Sequence, residues 1–281
     1  MLMKILPNYP LSQETTFLCG GRAKWFCAVL NLQEFENLLK FHKGKFFILG
    51  GGSKTLCKDE GYDGLVISTK HLNKIGFDGN LIVCEAGAKL SALKEFCVKN
   101  GLSGLEWSAG IPASVGGATV MNAGSFGKDF GEFVENVEIF EAGQRKILNK
   151  SQITFSYRNS SLKGKVVLRV WLKLNNIAPE NVKKSYEYYF NKKTAAQPTS
   201  YGSAGSIFKR SENVIPAKII DKLGLKGVKI GGAEISTHHS GFIINTGTAT
   251  ATDVLKLIDL IKKTTLEKCG KHLQNEIIVL E

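Results

Sequence analysis

The sequence has no C-x-x-C pair. Its six cysteines, Cys19, Cys27, Cys57, Cys84, Cys97 and Cys269, are scattered, which argues against structural zinc and against a disulfide framework. They read as small buried hydrophobes in a reducing compartment. Arginine is scarce: Arg22, Arg145, Arg158, Arg169 and Arg210 are all there is among 37 lysines and arginines. Base and phosphate reading favours the arginine fork. The net charge of +12, from 37 cations against 25 acids, therefore reads as a solvated lysine surface that attracts small anions. No basic leader with an apolar run stands at the start, so the expected location is the cytoplasm. The longest uncharged run, 107–127, is built from Gly, Ala and Ser with Pro112 and Asn122 inside, and no membrane insertion is expected from it. No internal repeat or low-complexity tail is present.

What is present is an ordinary globular composition, 43% hydrophobic and 22% charged over 281 residues, long enough for one large or two to three small domains. Leu32, Phe35, Leu38 and Leu39 recur at helical spacing before Gly44. The apolar run Phe46 to Leu49 suits a buried strand, and strand-like runs follow at Gly64 to Ser68 and Leu81 to Cys84. Leu90, Leu93, Phe96 and Cys97 predict a helix that stops at Asn100-Gly101. Val134 to Phe140 and Val166 to Leu172 predict strands, the second with near-continuous apolar character. Tyr186 to Lys193 reads as the end of a helix before Gln197-Pro198, with a domain boundary near residue 192. The last third predicts a helix at Pro216 to Leu223, a strand at Gly241 to Asn245, a helix from Thr252 to about Lys263 and a closing strand at Glu276 to Leu280.

Two glycine-rich loops carry the chemical interest. Gly50-Gly51-Gly52-Ser53 follows a strand directly, where backbone N–H groups can approach a phosphate. A plain tight turn is its alternative. The run Ser108 to Gly127 interleaves Ile111, Pro112, Val115, Val120 and Met121 with its glycines, which marks an ordered loop packed on a core rather than a linker. Two such loops could clasp the halves of a pyrophosphate. Neither has the G-x-G-x-x-G spacing, so a Rossmann domain is disfavoured. His238-His239 lacks an accompanying acid or cysteine cluster, and neighbours on a strand point to opposite faces, so no metal is expected. Arg158 could serve as an anion clamp at a strand mouth or be a surface arginine. Ser206 sits in a small-residue turn beside Lys209 without the elbow of a hydrolase nucleophile.

In order along nearly the whole chain, these segments resemble the UDP-N-acetylenolpyruvoylglucosamine reductase family. The resemblance rests on Leu49-Gly50-Gly51-Gly52-Ser53, Gly101 to Glu106, Ala109-Gly110-Ile111-Pro112, Val115-Gly116-Gly117-Ala118 and Met121-Asn122-Ala123-Gly124. Further matches are Tyr157-Arg158-x-Ser160, Ala204-Gly205-Ser206-x-Phe208-Lys209, Gly224 to Gly227 before Gly231-Gly232-Ala233, His239 with Phe242 and Asn245, and Leu273-x-x-Glu276. Three positions depart from the family pattern: Lys54 and Ala113, where asparagine and glycine are usual, and Arg210-Ser211, where Asn-Pro is usual.

The resemblance implies an α+β fold: a two-lobed FAD-binding domain of the vanillyl-alcohol-oxidase/PCMH type plus a C-terminal α+β substrate-binding domain. The expected division is 1–69 for the first lobe, joined by the C-terminal strand 276–281, then 70–191 for the second lobe and 192–275 for the substrate domain. It implies non-covalent FAD, NADPH as hydride donor and a UDP-sugar enolpyruvyl ether as substrate, in peptidoglycan precursor synthesis. Arg158, Ser206 and Glu276 match the catalytic positions. Cofactor contacts are expected from Gly50, Gly51, Gly52, Ser53, Lys54, Ala109, Gly110, Ile111, Pro112, Ser114, Gly116, Gly117 and Asn122. Substrate contacts are expected from Arg158, Ser206, Lys209, Arg210 and Glu276. In these roles Arg158 stabilises the charge that builds after hydride transfer, Ser206 protonates the second carbon, and Glu276 acts as an acid kept protonated by burial and like charge. A tyrosine among Tyr186 to Tyr189 could close over the nucleotide sugar, the alternative being a packing face. No obligate protein partner and no nucleic acid are implied. Two other readings stay open: another FAD-dependent oxidase or dehydrogenase of this fold acting on a hydroxy acid or sugar alcohol, and a nucleic-acid-binding module built on Lys183, Lys184, Lys192 and Lys193 around the tyrosines.

Overall fold

The structure is a computed structural model, and it describes residues 3–281. The fold is α+β. Its α-helices among the described residues are α1 (Leu32–Phe41), α2 (Leu90–Asn100), α3 (Val115–Val120), α4 (Pro179–Ala196), α5 (Pro216–Lys222) and α6 (Ala251–Cys269). The chain forms two compact units. The first holds the described residues up to Leu6, Phe26–Gly51 and Leu65–Lys193, and the second holds Pro7–Trp25, Gly52–Gly64 and Thr194–Glu281.

In the first unit an antiparallel sheet runs in the order Gln144–Asn149, Val134–Glu141, Val166–Leu172, Leu81–Glu85, Ile75–Asp78. Val167, Val170 and Leu172 face one cluster with Leu90, Leu93 and Cys97 of α2, Val115 and Ala118 of α3, and Val182 and Tyr186 of α4. Leu168 and Phe140 face a second cluster with Leu32, Phe35 and Leu38 of α1, and Leu65 and Ile67. Burial on both faces is why the strand at 166–172 reads as an almost unbroken apolar run. The strand Phe46–Leu49 pairs in parallel with Leu65–Ser68 and delivers the chain to Gly50. Asn31 caps α1 by accepting from the Glu34 N–H at 2.9 Å, and α2 stops on Gly101, whose φ of 65° is left-handed.

In the second unit Lys229–Ile230, Ala233–Ile235 and Ile243–Asn245 form an antiparallel sheet. Val254, Leu257, Ile258 and Ile261 of α6 pack with Ile235, Ile243 and Phe208 in its core. The strand Ile278–Leu280 pairs in parallel with Thr55–Cys57, so the chain's last strand returns to an early one.

Three expectations are corrected. The second glycine loop contains α3: the Ser114 hydroxyl accepts from the Gly117 N–H at 3.2 Å, and packing overrides the poor helix propensity of glycine. The long helix α6 runs past Lys263 to Cys269, ending on Gly270 with a left-handed φ of 63°. His238 and His239 lie in a bend after the strand Ala233–Ile235 rather than on a strand, because both their N–H groups turn onto the Ser236 hydroxyl, at 3.2 and 3.3 Å. Among the described residues no group of three or more His, Cys, Asp or Glu side chains is placed to hold a metal ion, and no helix is long and apolar enough to cross a membrane.

The N-terminus of α6 depends on a residue distant in sequence. The Asp59 carboxylate accepts from the Ala251 N–H at 2.9 Å and the Thr252 N–H at 2.7 Å. Burial works to raise the Asp59 carboxyl, and these N–H donors with the Thr252 hydroxyl outweigh it, leaving it below the usual range. Asp59→Ala should therefore cost about 1 kcal/mol of unfolding free energy. Because the folded value is depressed, that difference is full above pH ~4 and shrinks as the pH falls through the folded value. Urea unfolding of both proteins at pH 7 and pH 3 checks it; an equal gap at both would refute the carboxylate cap.

Candidate active site

The two glycine loops meet within the first unit. A Cβ on Gly50 would collide with the Ser114 hydroxyl, and one on Gly51 would come within 3.0 Å of the Pro112 carbonyl and 3.1 Å of the Ser114 N. Backbone is thus laid against backbone at the end of the strand Phe46–Leu49. The second loop is pinned from behind: Val115 and Gly116 donate to the carbonyls of Ala88 and Ala86 at 2.7 and 2.8 Å, and a Cβ on Gly116 would lie 2.8 Å from the Ala86 methyl. In the second unit Gly52 takes a φ of 65° against Glu14 and Thr15. The buried Thr15 hydroxyl there lacks a partner, as does the buried Trp107 indole N–H in the first unit. Within the first unit, loops that admit no side chain at Gly50, Gly51 and Gly116 fit a group bound through backbone N–H groups, such as a flavin dinucleotide.

Arg158 belongs to a tight hairpin rather than a strand mouth. Phe155–Ser156 pairs with Asn159–Ser160, leaving Tyr157-Arg158 as the two turn residues, with Arg158 at a φ of 53°. A non-glycine residue held there costs about 1–3 kcal/mol and persists only where its surroundings hold it. The buried Asn122 does the holding: its amide donates to the Ser156 carbonyl at 3.0 Å and its oxygen accepts from the Gly131 N–H at 2.8 Å. The guanidinium donates to the Gly124 carbonyl at 2.7 Å and stands 3.6 Å from the Asp129 carboxylate. Burial raises the Asp129 carboxyl even so, against the pull of Arg158.

Ser206 and Glu276 are brought together in the second unit by backbone. Residues 206–209 are gripped on one side by Ser206 bridging Phe242 and the Ile207 N–H donating to the Gly241 carbonyl at 3.0 Å. On the other side Glu276 donates to the Ile207 carbonyl at 2.7 Å and Lys209 to the Gln274 carbonyl at 2.9 Å. Glu276 is buried, and its carboxylate forms an ion pair with the Lys54 ammonium. The charge set against it here is thus a cation, where the sequence reading expected like charge. The same ammonium donates to the Ser206 carbonyl at 3.3 Å. Lys209 is half-buried and Arg210 exposed.

Sequence reasoning missed Lys193. It is 6% exposed, and Val182, Tyr186, Tyr189 and Lys193 follow one another at the four- and three-residue steps of one helix face. Helical phase, extended through the tyrosines, was the signal available. The same burial makes Tyr186 a packing residue and leaves Tyr188 exposed. It also removes Lys193 from the basic surface on which a nucleic-acid-binding reading relied. Burial, with the positive charge of Arg158 added, pushes the Lys193 amine down to about 8. A buried lysine and a partly buried arginine within each other's field form a site suited to an anion. A 15N NMR titration of the lysine side chains should show one amine with a midpoint near 8. Arg158→Gln should raise it, and a Lys193 midpoint above 10 would refute this electrostatic picture.

The chain matches two family models: an FAD binding domain over residues 29–144 and the C-terminal domain of UDP-N-acetylenolpyruvoylglucosamine reductase over residues 197–280. It is 40% identical to the UDP-N-acetylenolpyruvoylglucosamine reductase of Caldanaerobacter subterraneus subsp. tengcongensis over 99% of this chain and 94% of that protein. The enzyme of that name from Thermotoga maritima is also 40% identical, over 95% of each. The crystal structure of UDP-N-acetylenolpyruvylglucosamine reductase from Thermus caldophilus superposes with a TM-score of 0.86 at 31% identity, covering 100% of both chains. At 40% identity over nearly its whole length, the chain belongs to the UDP-N-acetylenolpyruvoylglucosamine reductase family.

Proposed function

We propose that this chain reduces UDP-N-acetylglucosamine enolpyruvate to UDP-N-acetylmuramate, with NADPH as donor, in peptidoglycan precursor synthesis. The observation that carries this reading is the backbone grip that sets Ser206 beside Glu276, residues far apart in the chain, in a protein matched by its family over nearly its whole length. FAD, held non-covalently, would supply the hydride-transfer chemistry that links NADPH to the terminal vinyl carbon. We assign the hold on it to Gly50, Gly51, Gly52 and Ser53 and to Ala109, Gly110, Ile111, Pro112, Ser114, Gly116 and Gly117. Asn122 supports the Arg158 turn. Lobes at 1–69 with 276–281 and at 70–191, and a substrate domain at 192–275, remain the proposed division of labour.

The net change adds one hydride and one proton across the C=C bond, and NADPH leaves as NADP+. When hydride reaches the terminal carbon, negative charge develops on the second carbon and its carboxylate. Arg158, fixed by a strained turn and carbonyl hydrogen bonds, meets that charge without having to reorganise. Ser206 gives its hydroxyl proton to the second carbon, which the carbanion is basic enough to take. Glu276 faces the substrate carboxylate, and Lys209 and Arg210 follow Ser206 as cations for the anionic substrate. The proposed location is the cytoplasm, with small molecules as the partners. The thiols of Cys19, Cys27, Cys57 and Cys97 fit it: burial pushes them up to between about 11 and about 12, so they stay protonated.

The test is the visible spectrum of the anaerobic, FAD-loaded protein. NADPH should bleach it, and the UDP-sugar enolpyruvyl ether should restore the colour. Bleaching without recovery would refute this substrate and favour another dehydrogenase of the fold. Ser206→Ala should still be bleached by NADPH, while its recovery on substrate falls at least about 100-fold. Equal loss of both steps would remove the serine from this role.

A further inference from the structure

A carboxylate buried beside the place where a substrate carboxylate gains charge is unfavourable unless it carries a proton or is paired with a cation. Glu276 is 5% exposed, and the Lys54 ammonium is its ion-pair partner. The pairing is built into the fold. The Ile278 N–H donates to the Lys54 carbonyl at 2.7 Å, and Thr55 to Cys57 lie in parallel register with Ile278 to Leu280. Residues 54 and 276 therefore stand together at the starting end of one locked parallel strand pair. Gly205, at a φ of 73°, turns the chain beneath the ammonium, and a Cβ there would lie 3.6 Å from Lys54 Nζ. From this position the ammonium also reaches the Ser206 carbonyl at 3.3 Å, so one cation touches the backbone of Ser206 and the side chain of Glu276.

We propose that Lys54 is a positioning residue for the substrate-reducing half of the reaction, holding Glu276 as the carboxylate of an ion pair. The ion pair carries the same net charge, zero, as a protonated glutamic acid beside a neutral residue. Glu276 can then stay ionised next to the substrate anion without adding charge to the site. The ammonium fixes the rotamer of Glu276 and, through the Ser206 carbonyl, the turn that aims the serine. This inference rests on the placement of Glu276 at the substrate carboxylate under the proposed function. It sets Lys54 apart from the glycine loop before it: the side chain serves Glu276, while the glycines are assigned to the backbone cradle.

The experiment compares the two half-reactions by anaerobic stopped flow in the FAD-loaded wild type, Lys54→Met and Lys54→Arg. In Lys54→Met, reoxidation of the reduced flavin by the UDP-sugar enolpyruvyl ether should slow about 100-fold, with reduction by NADPH little affected. Lys54→Arg should recover most of the loss. Removing Glu276 as well, in Lys54→Met/Glu276→Gln, should add little to Lys54→Met, because the two side chains act as one unit. Infrared difference spectra between wild type and Glu276→Gln should show an ionised carboxylate for Glu276, and a protonated carboxyl band should appear in the Lys54→Met background. Reoxidation within twofold of wild type in Lys54→Met would overturn the proposal. So would equal slowing of NADPH reduction or loss of FAD, which would make the ammonium a cofactor contact. So would a protonated Glu276 band in the wild type. Should Lys54→Met fail to fold, Lys54→Gln with the same infrared readout decides between the outcomes. A wild type that NADPH reduces but substrate does not reoxidise defeats the assigned function itself, a result distinct from a normal wild type and an equally active Lys54→Met.

Discussion

Charge removed from water must be met by opposite charge, by hydrogen bonds or by a change of protonation, and much of the chemistry of this chain follows from how it meets that requirement. Glu276 is buried and meets it with Lys54. Lys193 is buried beside the field of Arg158, and its amine is pushed down to about 8. Asp59 meets it with the N–H groups at the start of α6. The first is an ion pair within the second unit, and the second is a shifted amine within the first. The third is structural, anchoring the helix that covers the sheet of the second unit.

Close approach of backbone is the second constraint. Gly50, Gly51 and Gly116 stand where a Cβ would strike Ser114, Pro112 or Ala86, so the loops form only because side chains are missing. The same loops are held by ordinary core packing: Val115 and Ala118 of α3 are buried in the same cluster as the sheet strands. Arg158 is fixed by a different device, a left-handed turn residue braced by the amide of Asn122, and its strain is offset by that bracing.

The elements with strong periodicity were legible in the sequence. The helix predicted from Leu32 to Leu39, the strand Val166–Leu172 and the stop at Asn100-Gly101 all stand in the structure close to where the pattern puts them. Both glycine loops were legible in the sequence, and the resemblance is what put forward Arg158, Ser206 and Glu276 for the roles proposed here. Less was legible wherever packing overrode local preference. Helix α3 forms through Val115-Gly116-Gly117 because Ser114 caps it and Ala86 and Ala88 accept its first N–H groups. His238 and His239 sit in a bend because one hydroxyl, Ser236, draws both N–H groups.

By itself the sequence determined the order of the elements and the glycine loops, because hydrophobic period and the positions of glycine are properties of neighbouring residues, and the resemblance added the α+β class and the family. Tertiary structure decided which charges face one another. Lys54 and Glu276 are 222 residues apart in the chain, and a parallel strand pair brings them together. Lys192 and Lys193 are neighbours of one type, yet helical phase leaves the first over the Tyr188 ring and buries the second. Coulombic interaction and desolvation depend on distance and burial in space, and neither quantity is written in the separation of residues along the chain.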